Sequence, residues 1–209
     1  MSRSSTSVRR PWVAQTWTAL RALLLFTVAL GIGYPLVVLG LGQVLLPAQA
    51  NGSLVRVDGA VVGSSLIGQS FSDADGDPLP EWFQPRPSAA GDGYDGGASS
   101  GSNRGPENGD LIAAIEERRA AVAAVDGVAP ADVPADALTA SASGLDPHIS
   151  PAYALLQVDR VAEARGLSVD RVRTLVEAHI RGRDLGVMGD PTVNVLELNV
   201  ALAELDGAD

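Results

Sequence analysis

A single N-terminal transmembrane helix followed by one extracytoplasmic α+β domain is the architecture that three features of this sequence predict. Residues 22–46 carry no charged side chain and are apolar enough to cross a bilayer as one helix. Arg3, Arg9, Arg10 and Arg21 precede that run with no acidic residue among them, and the positive-inside bias keeps such a segment in the cytoplasm. Beyond the run, a β-hairpin signal and several capped helical patterns alternate with loops rich in Gly, Pro and Ser. On this reading residues 1–21 form a cytoplasmic tail, 22–46 the transmembrane helix and 47–209 the extracytoplasmic domain.

At about 1.5 Å per residue the apolar run reaches roughly 37 Å against a hydrocarbon core of about 30 Å, so one tilted span fits. Trp12 and Trp17 stand just before it, where amphipathic rings favour the headgroup layer. A cleavable signal peptide is the rival reading, because Ala48-Gln49-Ala50 has the small-x-small form of a cleavage site. Signal h-regions run about 7–15 residues, much shorter than this segment, which favours a retained anchor. Within the span, Ala29, Gly33 and Gly40 fall near one helical face and would let a partner helix dock closely. Pro35 removes a backbone donor and predicts a kink that a packed neighbour would accommodate.

The chain has 209 residues, and about 160 remain for a single extramembrane domain once tail and span are set aside. Net charge is −10, and because the four N-terminal arginines contribute +4, the part after the span carries −14. Such an acidic surface argues against a nucleic-acid partner and attracts cations as a diffuse field. The absence of Cys excludes disulfides, thiolate nucleophiles and thiolate metal sites. The absence of Lys excludes Schiff-base chemistry and a P-loop lysine.

After the span, 54–57 and 60–62 read as strands joined by Asp58-Gly59, a pair suited to a two-residue hairpin turn. Leu66, Ile67 and Phe71 then read as a loop entering the core. Asp73, Asp75 and Asp77 imitate the start of a calcium loop, but Pro78 and Gln84 stand where that loop needs glycine and glutamate, so the stretch reads as an exposed acidic insertion. Residues 81–109 are rich in Gly, Ser, Pro and Asn, yet carry Trp82, Phe83 and Tyr94. Large aromatics in such a setting predict an ordered, functional loop in which Trp82 and Phe83 pack down while the polar remainder meets a partner.

Asp110 is the expected cap of a helix over 111–125, with Leu111, Ile115 and Val122 inward and 116–119 in solvent. A connector over 129–137 leads to an expected short strand at 138–142. Ser150 and Pro151 predict a helix over 151–165 closed by Gly166, and Ser168 a second helix through Ile180 closed by Gly182. His179 shares a face with Val172, Leu175 and Val176, which reads as a partly buried histidine rather than a ligand. The segment 192–205 fits a strand-like entry passing into a C-terminal helix.

No nucleophile elbow or zinc-binding histidine pair is present, and Ser143, Asp146 and His148 crowd one loop without implying catalytic geometry. The ordered motifs YPLVVLGLGQ, QANGSL, VVGSSLIGQSF, WFQPRPSA, SGLDPHISP and NVLELN, running from about Leu20 to Leu205, resemble the C subunits of the Kdp potassium-transporting ATPases, bacterial high-affinity potassium pumps. The acidic stretch before Trp82 and the replacement of a double glycine by Ser100-Gly101-Ser102 depart from that pattern. The resemblance implies a retained single-pass anchor in the bacterial cell membrane. It also implies a non-catalytic subunit that works with a channel-like potassium-translocating subunit, a P-type ATPase subunit and a small membrane peptide. The family is described as stabilising assembly and as a catalytic chaperone that raises the ATPase subunit's affinity for ATP. Gln69 carries over as the ATP-linked residue, with no stably bound cofactor and no metal.

The expectation is therefore a helix docked beside the translocating subunit and an acidic domain covering its outer mouth, with Asp146 and His148 fixing the dock. A stand-alone membrane-anchored binding protein using the loop around Trp82 is the alternative.

Overall fold

The structure, a computed structural model, describes residues 11–206; Arg3, Arg9 and Arg10, on which the orientation argument rests, lie outside the described residues. The chain forms two units, one ending at Gly52 and the other beginning at Ser53.

The first unit is a helix, Trp12–Leu45, long and apolar enough to cross a membrane. It runs as α1 (Pro11–Val28), a π-helical turn (Ala29–Gly33) and α2 (Tyr34–Leu45). The helix thus begins well before residue 22. Nothing between 12 and 21 breaks the hydrogen-bond ladder, and the Thr16 and Thr18 hydroxyls donate back to the carbonyls of Trp12 and Ala14. Arg21 stacks over the Trp17 ring at 4.7 Å. The distortion expected at Pro35 takes the form of the π turn. Proline has no N–H for the carbonyl four residues back and its ring crowds that carbonyl; the chain loosens just before it, where the Tyr34 N–H reaches Ala29 O. After Leu46 comes a single turn, α3 (Pro47–Ala50). Gln43 and Asn51 then exchange amide hydrogen bonds at 3.0 and 3.3 Å, which ties the chain back to the end of α2.

The second unit opens with the expected antiparallel hairpin, β1 (Leu54–Val57) and β2 (Ala60–Ser64), with a register shift between Val55 and Arg56. Asp58 (φ 49°) and Gly59 (φ 81°) take the two left-handed positions of the turn. Leu66 and Ile67 do not enter the core as expected: they are 61% and 44% exposed, while Phe71 does pack against it. The backbone decides this. Asn194 Nδ2 donates to Ser65 O at 2.8 Å and the Gly68 N–H to Leu145 O at 2.9 Å, so both sides of the pair are tied to the domain and the two side chains are left outside.

Helix α4 (Gly109–Asp126) is capped by Asn108 rather than Asp110, the Asn108 Oδ1 accepting from the Leu111 N–H at 3.1 Å, and Gly127 (φ 65°) ends it. Ile115 and Val122 pack on the core, but Arg118 is not in solvent, since it donates to Leu138 O at 2.9 Å. Two 3-10 turns, Pro130–Asp132 and Ala135–Ala137, make the connector. The strand expected at 138–142 does not form, because the Leu138 and Thr139 N–H groups both return to Ala135 O in a turn.

Strand β3 (His148–Ile149) is followed by α5 (Pro151–Leu156), with the Ser150 Oγ accepting from the Tyr153 N–H at 3.0 Å. The helix expected through Arg165 divides at Gln157 and resumes as α6 (Val158–Arg165), closed by Gly166. Ser168 caps α7 (Val169–Ala178), which ends at His179 and not at Gly182. The His179 Nδ1 lies 2.8 Å from Leu175 O, keeping the half-buried ring at the helix end. β4 (Val193–Asn194) pairs antiparallel with β3 and leads directly into α8 (Val195–Asp206), the strand-then-helix order expected.

Helices α5 to α8 close around Ile149, Tyr153, Val158, Val161, Val172, Val176, Leu198 and Leu202, all at most 3% exposed. Each such side chain contributes about 1.5–3 kcal/mol by leaving water. Phe83 joins this core at 0% exposure, although its segment belongs to no strand. Its backbone is served by side chains instead. The Phe83 N–H donates to Asn199 Oδ1 at 2.9 Å and Asn199 Nδ2 donates to Phe83 O at 3.0 Å. Gln157 repeats the device one residue on, accepting from the Gln84 N–H at 2.6 Å and donating to Gln84 O at 3.1 Å. Asn199→Leu leaves two buried backbone groups unpaired and is expected to cost about 2–5 kcal/mol. Urea unfolding of the full chain in mild detergent measures it, and a loss below about 1 kcal/mol would refute the clamp as a main support.

Candidate functional site

The run 143–151, SGLDPHISP, is where the segments of the second unit meet. Ser143 O accepts from the Ser100 N–H at 2.9 Å and the Ser99 hydroxyl at 3.0 Å. Gly144 O accepts from Ser88 Oγ at 2.6 Å, and Pro147 O from the Val195 N–H at 3.0 Å. The Ser150 N–H and hydroxyl donate to the Asp136 carboxylate at 2.6 and 2.9 Å. Gly144 has φ 68°, and a Cβ there would stand 2.6 Å from Ser100 O and 2.7 Å from the Ala90 nitrogen, so only glycine fits. Gly68 is equally constrained, a Cβ falling 2.6 Å from both Asp146 O and Tyr94 Cε1.

Asp146 is the ionic centre of this crossing. Its Oδ2 accepts from the Arg86 guanidinium at 2.9 Å and its Oδ1 from the His148 N–H at 3.0 Å, with His148 Nδ1 at 3.4 Å. Burial works to raise the Asp146 carboxyl. The hydrogen bonds from the His148 ring and backbone, together with Arg86, outweigh it and hold the group below its ordinary 3.8. Arg86 also donates to Thr139 O at 3.2 Å, and its Nε is buried without a partner among the described residues. The Tyr94 hydroxyl donates to Arg86 O at 2.6 Å; burial, reinforced by the Asp146 charge, raises that phenol and keeps it a donor.

Beside this crossing lies a cleft of about 660 Å³, lined by Gln84, Arg86, Tyr94, Arg118, Asp126 and Tyr153 and by the acidic stretch around Asp73 and Asp75. Asp126 is buried against Arg160 at 2.7 Å; burial raises its carboxyl and the Arg160 contact lowers it, burial prevailing. Arg160 completes its bonding with Pro80 O, Trp82 O and Gln157 Oε1, so the buried charge pair is fully served. Arg86 is paired with Asp146 and Arg118 bonds Leu138 O, and Asp73, Asp75, Asp92 and Asp126 give the lining an excess of negative charge. The residues present therefore do not fit a nucleoside triphosphate. Gln69, the residue linked to ATP by resemblance, is half-buried against β2, its Oε1 standing 3.0 Å from where a Gly63 Cβ would be. It is not among the residues lining this cleft.

Of the residues expected to dock a partner, Asp146 and His148 are brought together. Trp82 belongs to a different cluster, half-buried with Phe71 at 6.0 Å and beneath Arg165 at 4.1 Å, while Phe83 is wholly internal. Ala29, Gly33 and Gly40 are exposed on the apolar helix, and a Cβ at Gly40 would meet nothing within 4 Å. Sequence reasoning passed over Gln157, Asn194 and Asn199. The available signal was a carboxamide among apolar helical positions, as in ALLQV, or beside them, as in LELNV.

The acidic carboxyl and its partners give a pH test. Because the folded Asp146 value is lowered, its contribution is fully present above 3.8 and is lost as pH falls through the lowered value. Asp146→Asn is expected to cost roughly 1–3 kcal/mol at neutral pH and to remove part of the acid dependence. Parallel urea curves for the two proteins from pH 7 to acid, with no convergence, would refute this assignment.

The family model described as KdpC, K+-transporting ATPase, c chain, matches residues 16–204. The chain is 60% identical over 202 residues to the potassium-transporting ATPase KdpC subunit of Kineococcus radiotolerans, covering 97% of each. It is 52% identical over 193 residues to the like-named subunit of Mycobacterium tuberculosis, covering 91% of this chain and 98% of that one. With the Methylococcus capsulatus subunit the identity is 52% over 188 residues, 90% of this chain and 96% of that one. The match takes in the apolar helix, the clamped WFQ segment and the Asp146 crossing alike, and the chain belongs to the KdpC family.

Proposed function

We propose that this protein is a non-catalytic, membrane-anchored subunit of an ATP-driven, high-affinity potassium uptake complex, with its domain outside the cell. The observation that carries the reading is the family match over residues 16–204, which covers both the apolar helix and the domain rather than either alone. The K+-transporting ATPase named for the family requires other chains to move the ion and to hydrolyse ATP. In this reading the helix docks beside the potassium-translocating subunit through Ala29, Gly33 and Gly40, where small residues let backbones approach. The domain, acidic on its surface, covers the outer mouth and concentrates potassium as a diffuse field. The Asp146 crossing keeps that cap rigid.

A chaperone effect on ATP affinity then acts at a distance. With the domain outside and ATP in the cytoplasm, the coupling passes through helix packing as an allosteric free energy, and the ATPase subunit and a small membrane peptide are the remaining partners. No nucleotide is held by Gln69 in this scheme.

Two experiments test it. Gly40→Leu leaves the isolated helix unstrained and is expected to weaken copurification with the other subunits about tenfold, ~1.4 kcal/mol; unchanged recovery would remove Gly40 from the docking face. For topology, the native chain has no cysteine, and Ala74 and Ala124 are both exposed. Single Ala74→Cys and Ala124→Cys variants in intact cells are expected to react with an impermeant thiol reagent. Labelling only after the cytoplasmic face is opened would reverse the orientation and bring the domain to the ATP side.

A further inference from the structure

Leu54, Leu66 and Ile67 form an apolar edge on the second unit, 49%, 61% and 44% exposed. They flank the residue at which that unit begins: Ser53 O accepts from the Ser65 N–H at 3.0 Å, and Leu54 pairs with Ser64. The edge is built, since the bonds from Asn194 to Ser65 O and from the Gly68 N–H to Leu145 O fix the backbone on either side of Leu66 and Ile67. Each of these side chains forgoes the burial that the valines of the core obtain. In a domain of such negative charge, the whole stretch 59–72 carries no charged residue, and the exposed Arg56 lies on β1. The edge itself therefore adds no negative charge against anionic headgroups.

Chain connectivity says what is within reach. Asn51 is held beside Gln43, near the end of α2, by the paired amides. From Asn51 to Leu54 is three residues, at most about 11 Å of extended chain. The bilayer is about 30 Å of hydrocarbon within about 40–45 Å overall, leaving an interfacial layer of roughly 5–8 Å on each side. If the helix spans the bilayer, as the proposed function has it, Leu54 lies within about 11 Å of Asn51 on the side where α2 emerges, a reach that includes the interfacial layer. Leu66 and Ile67 stay with it through the Ser53–Ser65 bond.

We infer that this edge is immersed in the interfacial layer of the membrane, with lipid as its occupant. The acidic domain thereby touches the bilayer directly through this edge. The mechanism is apolar insertion of an uncharged edge, of the kind by which amphipathic segments lie in an interface.

The test uses the full chain in phosphatidylethanolamine and phosphatidylglycerol vesicles. Nitroxide labels are placed at Leu54→Cys or Leu66→Cys, with Ala74→Cys as the water reference and Val38→Cys as the mid-span reference. Collision with oxygen, which partitions into lipid, is compared with collision with a water-soluble nickel chelate. The expected result is an oxygen-to-nickel ratio at both sites shifted from the Ala74 value toward the Val38 value. A ratio equal to that at Ala74 overturns the inference by showing that the edge faces water. Exclusion of both reagents overturns it in favour of a protein cover, a second copy of the chain. A water-like Val38 label would instead defeat the anchor reading on which the inference rests. The positions are exposed, so the variants fold, and an unchanged near-ultraviolet circular dichroism spectrum verifies it.

Discussion

Two buried carboxamides hold the second unit together. Asn199 and Gln157 each give one donor and one acceptor to the backbone of Phe83 and Gln84, doing for two residues what a neighbouring strand would do in a sheet. Without them an irregular segment could not run through an apolar core, because its peptide groups would be buried unpaired. With them, Phe83 fills the core, Trp82 lies under Arg165, and Arg86 is placed to reach Asp146. The division of the long helix at Gln157 belongs to the same arrangement. Arg160, one turn later, adds a buried pair with Asp126 and closes on the carbonyls of Pro80 and Trp82.

A second constraint is close approach of backbones at the SGLDPHISP run. Gly144 and Gly68 sit where any side chain would strike a neighbouring carbonyl or ring, so three distant segments can pass within van der Waals contact. The serines around them bond mostly to main chain: Ser88 donates to Gly144 O, Ser99 to Ser143 O, and Ser150 accepts from the Tyr153 N–H while donating to the Asp136 carboxylate. The distinctive motifs of this chain are thus largely internal braces. Asp146 is one of them, with 28% side-chain exposure and three donors aimed at its carboxylate.

This has a consequence for function. A domain whose shape is set by internal polar contacts can present a fixed surface to a partner while its own polar groups remain occupied by its own chain. The surface features left over are of two kinds. The acidic groups act at long range and weaken with salt, whereas the uncharged edge at Leu54, Leu66 and Ile67 acts only by contact. In the proposed function the first supplies a cation-attracting field, and the second is the part inferred to meet lipid.

Local physics made much of this legible from residues alone. The apolar run, the Asp58-Gly59 turn, the Ser150 and Ser168 caps, Gly166 and the strand-to-helix passage at Val193 all depend on neighbours within a few positions. Tertiary structure decided the rest, for reasons of distance. Asn108 displaced Asp110 as a cap by one geometric choice between adjacent candidates, but Leu66 and Ile67 were turned outward by Asn194, and Arg118 was drawn inward by Leu138 O. The clamp joins residues 116 positions apart, and no local pattern tells a carboxamide in an apolar helix which backbone it will serve. Sequence by itself determined the long apolar helix, most of the local elements and the family. Which polar groups are buried, and so which residues brace the fold and which stay free to meet a partner, was decided only when distant segments paired their donors and acceptors in the core.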